Sequence, residues 1–332
     1  MPQQSASFIF IHLIILAIAL LVDLAFGEPP EKIHPTVWMG EVITLLKPRI
    51  KSKNSRIERL NGVLLGLFVI ALFTAPAYFI LPLIQQYFGL IVYMILASLL
   101  LKTTFAIKCM EQCTLPIAKA IEQDCIEDAR RLLSRIVRRD PKKLNTRQII
   151  SAAIESIAEG TVDGITSPLF YYAFFGIPGS IFFRVVNTLD SMVGYKDQEH
   201  INIGWFSARL DDLVNYIPAR LTALLMITAA CLLDENWKNS WRILRRDAHK
   251  TESPNAGWSM SAMAGALNVR LEKPGHYMLG DDVIALSPKH ILRAIKIMRL
   301  TVLLFIMLVI APLIIVISYL ANIPPLYNII GN

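Results

Sequence analysis

An all-α integral membrane protein is the fold class this sequence predicts, and three observations predict it. Of its 332 residues, 54% are apolar and only 18% are charged, where soluble domains carry nearer a quarter charged. The mean hydropathy is +0.49. The apolar residues also fall in runs long enough to cross a bilayer, with basic residues clustered beside them. The expected architecture is about four clear transmembrane helices plus two broken or re-entrant apolar segments. Helical cytoplasmic-side loops complete it, in a single polytopic domain over residues 1–332.

Residues 8–22 are apolar apart from His12. A cleaved leader would need a basic start and a small-residue cleavage site. Neither is there, so a retained transmembrane helix ending near Asp23 is expected. The following DLAFGEPPEKIHPTVWMG is Pro- and Gly-rich and reads as a loop, in which Asp23, His34 and Pro35 fit turn chemistry. Residues 47–59 carry Lys47, Arg49, Lys51, Lys53, Arg56 and Arg59 against one acid, Glu58, which assigns this loop to the cytoplasmic side. Residues 61–101 have no charge and suffice for two spans, with the bend expected at Pro82, Gln85 and Gln86.

Residues 102–163 form a polar region with a dense basic run: Arg130, Arg131, Arg135, Arg138, Arg139, Lys142, Lys143 and Arg147. The run suits a solvated face near anionic lipid or a funnel for anionic substrates. A helix is expected over 149–157, on which Glu155 and Glu159, with Asp163 just beyond, share one face. Carboxylates so placed repel unless a cation or a basic partner neutralises them.

Residues 164–183 are uncharged but broken by Pro168, Gly176, Pro178 and Gly179, and residues 221–233 are short for a span. The basic regions on either side of this pair should both be cytoplasmic. The two segments are therefore expected to be re-entrant or partly buried, as irregular backbone at membrane depth is allowed where it lines a cavity. Polar regions 27–59, 102–163, 184–212 and 234–299 then all face the cytoplasm. The last of these holds a Gly- and Pro-punctuated loop and a short helix whose Met260, Met263, Ala264 and Leu267 form a packing stripe. Residues 300–320 read as the last transmembrane helix, followed by a short uncharged tail.

The net charge of +7 fits loops obeying the positive-inside rule better than nucleic-acid binding, because the basic residues sit beside the spans. Cys109 and Cys113 are four apart and share a helix face; no His stands at ligand spacing, so they read as small packing residues. The phosphate loop, the dinucleotide fingerprint, the His-Glu-x-x-His pair and paired CxxC motifs are all absent.

The chemistry concentrates between Arg184 and Arg220. Asn187, Asp190, Lys196, Arg209, Asp211, Asp212 and Arg220 stand there between apolar runs, where charge is costly unless paired, hydrated or used. Arg209 and Arg220 are eleven apart, about three helical turns, and share a face if 207–222 is one helix. Asp212 would then pair with Arg209, while Pro218 would kink the helix or start a new one. Carboxylates beside Arg and Lys are the inventory for holding a divalent cation and phosphate. On residue chemistry alone this is a membrane enzyme or a transporter for an anionic solute.

Six pieces go further: DLAFGEPPEKIHPTVWMG, RRLLSRIVRRDPKKL, AAIESIAEGTVDGITSPLFY, RVVNTLDSMVGYK, FSARLDDLVNYIPARLTAL and SPNAGWSMSAMAGAL. Together they resemble the CobD/CbiB family of cobalamin biosynthesis, the adenosylcobinamide-phosphate synthases. They follow the family's order over most of residues 23–280, and NTLDSMVGYK with ARLDDxxNxIPAR is a specific pairing. The sequence departs from the family pattern at Gly160, where Asn is common, at Ser259, where Pro is common, and at Met278, where Gly is common.

The resemblance implies an ATP-dependent carbon–nitrogen ligase that joins adenosylcobyric acid to (R)-1-aminopropan-2-ol or its O-phosphate, giving adenosylcobinamide or its phosphate. It implies ATP and magnesium, with the corrinoid as substrate, in a multi-pass protein of the cell membrane whose active site faces the cytoplasm. Asp190, Asp211, Asp212, Glu155 and Glu159 become the candidate catalytic acids, the three aspartates also being candidate magnesium ligands. Asn187, Lys196, Arg209, Arg220, Asn255, Asp23 and His34 become candidate substrate or phosphate contacts. A transporter or binding protein for corrinoid or another anion is the alternative. A scaffold for other late cobalamin-pathway membrane enzymes is compatible with either.

Overall fold

The computed structural model of the protein describes residues 2–137 and 139–320; Arg138 of the basic run and the tail from residue 321 lie outside the described residues. The helices in chain order are α1 (Pro2–Phe26), α2 (Pro35–Leu46), α3 (Ser55–Lys102), α4 (Ile107–Glu122), α5 (Ile126–Leu133), α6 (Thr146–Thr161) and α7 (Ser167–Val193). They continue with α8 (Trp205–Val214), α9 (Tyr216–Leu232), α10 (Trp237–Asp247), α11 (Ala256–Leu267), α12 (Pro288–Phe305) and α13 (Ala311–Leu320). One small antiparallel hairpin, β1 (Leu271–Lys273) and β2 (Tyr277–Leu279), pairs Leu271 with Leu279.

The all-α membrane architecture holds. Among the described residues, four helical stretches are long and apolar enough to cross a bilayer: Ile9–Phe26, Ser55–Glu122, Thr146–Val193 and Pro288–Ile317. The α8–α9 pair passes the same test only when taken together, across a bend of 46°. Phe10, Ile14 and Leu21 on α1 and Leu60, Leu64, Phe68 and Leu72 on α3 are exposed. Such continuous apolar faces are a liability in water and suit lipid.

Several boundaries differ from the sequence reading, each for a local reason. The helix that was expected to end near Asp23 runs on to Phe26, and Gly27, at φ 75°, ends it. Residues 61–101 do not bend at Pro82, Gln85 and Gln86. The helix passes through Pro76 and Pro82 and breaks at Gly89, where φ 85° and ψ 172° suit only glycine. Residues 164–183 do break where one of the expected breakers stands, at Gly176, with φ 63° and ψ −151°. The helix that carries the last span starts earlier than residue 300, at Pro288, and has a π-helical turn over Ile306–Ile310. Residues 207–222 are two helices: α8 stops before Asn215, and Pro218 lies in the first turn of α9, where a missing N–H costs little. Arg209 and Arg220 therefore do not share the face of one straight helix. The hairpin went unread because its Lys-Pro-Gly-His turn looked like loop punctuation and its strands are three residues each.

The chain divides into two compact units. The first comprises Met1–Phe105, Pro168–Phe206 and Ile306–Asn332. In it α1 packs on α3 and α13, with Ile15, Leu16 and Ala19 buried. The second comprises Ala106–Ser167 and Ser207–Phe305. Its centre is α6, whose Ile149, Ala152, Ala153, Ile154 and Ile157 are wholly buried among α4, α11 and α12. Helix α9 packs on α11 and α12, and the stripe Met260, Met263, Ala264 and Leu267 is core, as read. At Gly265 a Cβ would come within 2.6 Å of Ser240 Cα, so α10 and α11 meet backbone to backbone.

A buried carboxylate ties the hairpin to α10. Asp247, fully buried, accepts from Arg246 at 2.7 and 2.8 Å and from the Gly280 N–H at 2.8 Å, and lies 2.6 Å from Lys250 Nζ. Burial pushes its carboxyl up; the hydrogen bonds from Arg246, Lys250 and Gly280 outweigh it and hold it at about 2, against 3.8 ordinarily. The native state thus binds this proton less tightly than the unfolded chain. The clamp contributes on the order of 2 kcal/mol above about pH 4, and that contribution drains away between about pH 4 and pH 2. Thermal melts of detergent-solubilised protein should show Asp247→Asn less stable than wild type at pH 6, with the gap closing as the pH falls below 4.

Candidate active site

In the first unit, the polar residues gather where α1, α2, α3 and α7 end or begin. Asp23 in the last turn of α1 and Lys102 closing α3 are both buried. Lys102 Nζ lies 3.0 Å from Asp23 Oδ1 and 2.9 Å from Glu28 Oε1, and donates to the Phe105 carbonyl at 3.3 Å. Glu28 Oε2 is 2.8 Å from His34 Nε2. His34 is the N-cap of α2, and its Nδ1 accepts from the Thr36 N–H at 3.2 Å. An accepting Nδ1 carries no proton, so Nε2–H donates to Glu28. Burial pushes the Glu28 carboxyl up; the His34 hydrogen bond and the Lys102 ammonium outweigh it and bring it below its ordinary value.

Arg184 on α7 donates to the Thr104 carbonyl through Nε, at 2.8 Å, and through Nη2, and to Asn187 Oδ1 at 3.3 Å. It thereby satisfies backbone left open where α3 ends and orients Asn187. Asp190 lies one helical turn further on and is half-buried. A Cβ on Gly194 would sit 1.9 Å from Asp190 Oδ1, so only glycine permits this placement of the carboxylate. Lys196 is exposed beyond it.

In the second unit the centre is the α8–α9 bend. Asn215, at the joint and 1% exposed, accepts from Ser167 Oγ at 2.6 Å and donates to Asp211 Oδ2 at 3.0 Å. Ser253 Oγ donates to Asp212 Oδ1 at 3.4 Å, and Asn255 Nδ2 donates to the Asp212 carbonyl at 2.8 Å. The other face of Asn255 accepts from Arg220 Nη1 at 3.0 Å. That Nη1 also donates to the Tyr216 carbonyl at 2.6 Å. The guanidinium lies over two aromatic rings, with Cζ 3.4 Å from the Tyr216 centroid and 4.6 Å from that of Trp258. Anchoring thus consumes Nη1, while Nε and Nη2 have no acceptor among the described residues. That is the edge that meets phosphate or carboxylate in a bidentate fork. The buried Trp258 Nε1 beside it also lacks an acceptor. Arg209 is exposed, and Asp211 and Asp212 are half-buried.

Glu155 on α6 has the neutralising partner that its spacing called for. Arg139 donates to both its oxygens at 3.2 and 3.3 Å, Ser151 Oγ donates at 2.6 Å and Tyr277 OH at 2.8 Å. Its lone pairs are spent tying α6 to the hairpin. Burial and the adjacent Glu155 carboxylate push the Tyr277 hydroxyl well up, so it remains a donor. Glu159 is exposed, and Asp163 is carried past the end of α6 by a π-helical turn over Val162–Thr166.

Asp190 belongs to the first unit and Asp211 and Asp212 to the second. Among the described residues no group of three or more His, Cys, Asp or Glu is placed to hold a metal ion. Asp211 and Asp212 are neighbours on α8, each half-buried and each already accepting a hydrogen bond, from Asn215 and from Ser253. Magnesium is commonly held by one or two carboxylates together with substrate phosphates rather than by a protein cage.

Comparison with known proteins places the chain in a family. The CobD/Cbib protein family model matches residues 16–298. The chain belongs to the CobD/CbiB family. It is 46% identical over 291 residues to a probable cobalamin biosynthesis protein CobD of Methanothermobacter thermautotrophicus, covering 88% of this chain and 94% of that one. It is 42% identical over 279 residues to the cobalamin biosynthesis protein CobD of Dehalococcoides mccartyi, covering 84% and 90% of the two chains. It is 40% identical over 306 residues to a probable cobalamin biosynthesis protein CobD of Thermoplasma volcanium, covering 92% and 99%. No solved structure matches.

Within this CobD/CbiB chain the departure at Gly160 has a packing counterpart. A Cβ there would meet Met110 Cε at 2.1 Å, so the α4 methionine occupies the space a larger residue would take. Glu28, Lys102 and Asn215 are missing from the set read off the sequence. Lys102 had a signal: it is the first charge after a long uncharged run, and such a charge at a span's end needs a partner. Asn215 had one too, as the Asn of DDLVN, four after Asp211 on what looked like one helix face.

Proposed function

We propose that this protein acts in cobalamin biosynthesis as an ATP-dependent amide synthase. It would join the free carboxylate of adenosylcobyric acid to (R)-1-aminopropan-2-ol or its O-phosphate. The observation that carries the reading is Arg220. Its Nε and Nη2 meet no acceptor among the described residues, it packs against the Tyr216 and Trp258 rings, and Asn255 links it to the Asp212 backbone. A carboxylate is inert towards amines until activated. One of its oxygens attacks the γ-phosphorus of ATP and ADP leaves. The amine nitrogen then attacks the carbonyl carbon, the C–O bond to phosphate breaks, and the nitrogen's extra proton passes to a base. Charge neutralisation and positioning supply most of the catalysis in such chemistry.

In this reading Arg220 grips a phosphate through Nε and Nη2. Asp211 and Asp212 would hold magnesium, which when bound neutralises charge on the transferring phosphoryl group. Asn215 keeps the Asp211 carboxylate turned, because its own carbonyl is committed to Ser167. The basic excess beside the spans supports a cytoplasmic placement of these residues in the cell membrane.

A second reading, a transporter or binding protein for corrinoid or another anion, is favoured by a cavity of about 640 Å³ in the first unit at the Gly176 break. His12, Tyr78, Gln85 and Tyr93 are its polar lining and no Arg or Lys lines it, which suits an apolar guest better than an anion. Purified protein in detergent, given adenosylcobyric acid, amine and magnesium-ATP, should give the amide by mass spectrometry. No amide, together with corrinoid uptake into proteoliposomes, would favour the transporter.

A further inference from the structure

We propose that the start of α3 carries a binding site for an anionic glycerophospholipid, its headgroup phosphate held by Arg56 and Arg59 beside Trp205. A cavity of about 440 Å³ in the first unit is lined by Ser55, Arg56, Arg59, Leu60, Val63 and Trp205. Both arginines are exposed, and neither guanidinium has an ion-pair partner among the described residues. The nearest acid in sequence, Glu58, accepts instead from Asn202 Nδ2 at 3.2 Å.

The site is built rather than a chance of surface charge. At Gly62 a Cβ would sit 2.1 Å from the Ile203 carbonyl, and at Gly66 one would sit 2.6 Å from the Phe206 ring. These two glycines, one turn apart, let the chain at 203–206 lie directly on α3. That contact sets the Trp205 ring 5.4 Å from Arg59 Cζ, in cation–π reach. The chain just before is strapped to the basic loop: Lys47 Nζ meets His200 Nε2 at 2.6 Å, and Lys51 Nζ donates to Glu199 at 2.8 Å. The Arg56 and Ile57 N–H groups are capped by Asn54, so the attraction rests on the guanidiniums and not on the helix end.

The order of groups along α3 specifies the ligand. Ser55, Arg56 and Arg59 come first; Leu60 and Val63 follow on a helix that continues as a candidate span. A charged rim over an apolar floor, with an exposed Trp at the junction, is the profile of a membrane–water interface. A phosphate diester on two acyl chains matches both halves; free phosphate would use only the rim. Two guanidiniums favour a headgroup of net negative charge over a zwitterionic one.

Native mass spectrometry of the whole protein from mixed micelles tests this, with phosphatidylglycerol and phosphatidylcholine as probes. Wild type should retain phosphatidylglycerol preferentially. The exposed pair Arg56→Gln/Arg59→Gln should lose roughly twentyfold in that retention while melting like wild type. The charge-matched pair Arg49→Gln/Lys53→Gln, outside the cavity, should stay within about threefold. Equal losses in the two pairs would mean diffuse attraction and overturn the site. So would equal retention of the two lipids. Displacement of the lipid by millimolar inorganic phosphate would reassign the rim to a free anion and overturn the lipid assignment.

Discussion

Lys102→Met is expected to leave the first unit barely able to hold its fold. Lys102 is 2% exposed and Asp23 wholly buried, and the ammonium also serves Glu28 and the Phe105 carbonyl. Removing one partner from such a cluster strands charge where water cannot reach it, at a cost of about 3–5 kcal/mol. That is a large share of a typical domain's stability, so the variant should melt far below wild type in detergent or be lost during extraction. The effect is ionic rather than volumetric, because Met nearly conserves volume. Adding Asp23→Asn to Lys102→Met should therefore recover part of the loss. A Lys102→Met protein that melts with wild type would show that the cluster does not hold α1 to α3. Asp23 and His34, which the resemblance assigns to substrate, share this network, so their variants need melting curves beside their kinetics.

Arg220→Lys carries the second large effect. Lysine keeps the charge and loses the planar fork and its packing against the Tyr216 and Trp258 rings. If Nε and Nη2 grip a phosphate, kcat/KM for amide formation should fall roughly ten- to a hundredfold, the worth of one hydrogen bond to a charged group. The melting temperature should move little, since a lysine ammonium can still reach the Tyr216 carbonyl. A purely structural Arg220 would do the reverse, with lowered stability and near-normal kinetics in what folds. The exposed Arg209 is the comparison, and Arg209→Lys should be milder in both respects.

The fold class was legible because lipid imposes long apolar runs that no other class needs. The family was legible because NTLDSMVGYK and ARLDDLVNYIPAR preserve wording as well as pattern. The break at Gly89 was not, because two prolines and two glutamines nearby look like stronger breakers than one glycine. A helix embedded among neighbours tolerates proline, whereas a positive φ admits almost nothing but glycine. The α8–α9 bend was half legible: Pro218 gave a new helix start, while the role of Asn215 depends on Ser167, far away in sequence. The same limit applies to Glu155. Its spacing called for a basic partner, but Arg139 and Tyr277 come from segments outside α6. The partners of Lys102 likewise come from α1 and the loop after it, and no local pattern pairs them.

Transfer of an oxygen isotope tests the central claim most directly. Adenosylcobyric acid labelled with oxygen-18 in its free carboxylate is incubated with the purified protein, magnesium-ATP and the amine. Activation as an acyl phosphate should place one labelled oxygen in the inorganic phosphate released for each amide formed. Amide formed alongside unlabelled phosphate would contradict the activation step, and release of phosphate with no amide at all would contradict the assignment as an amide synthase.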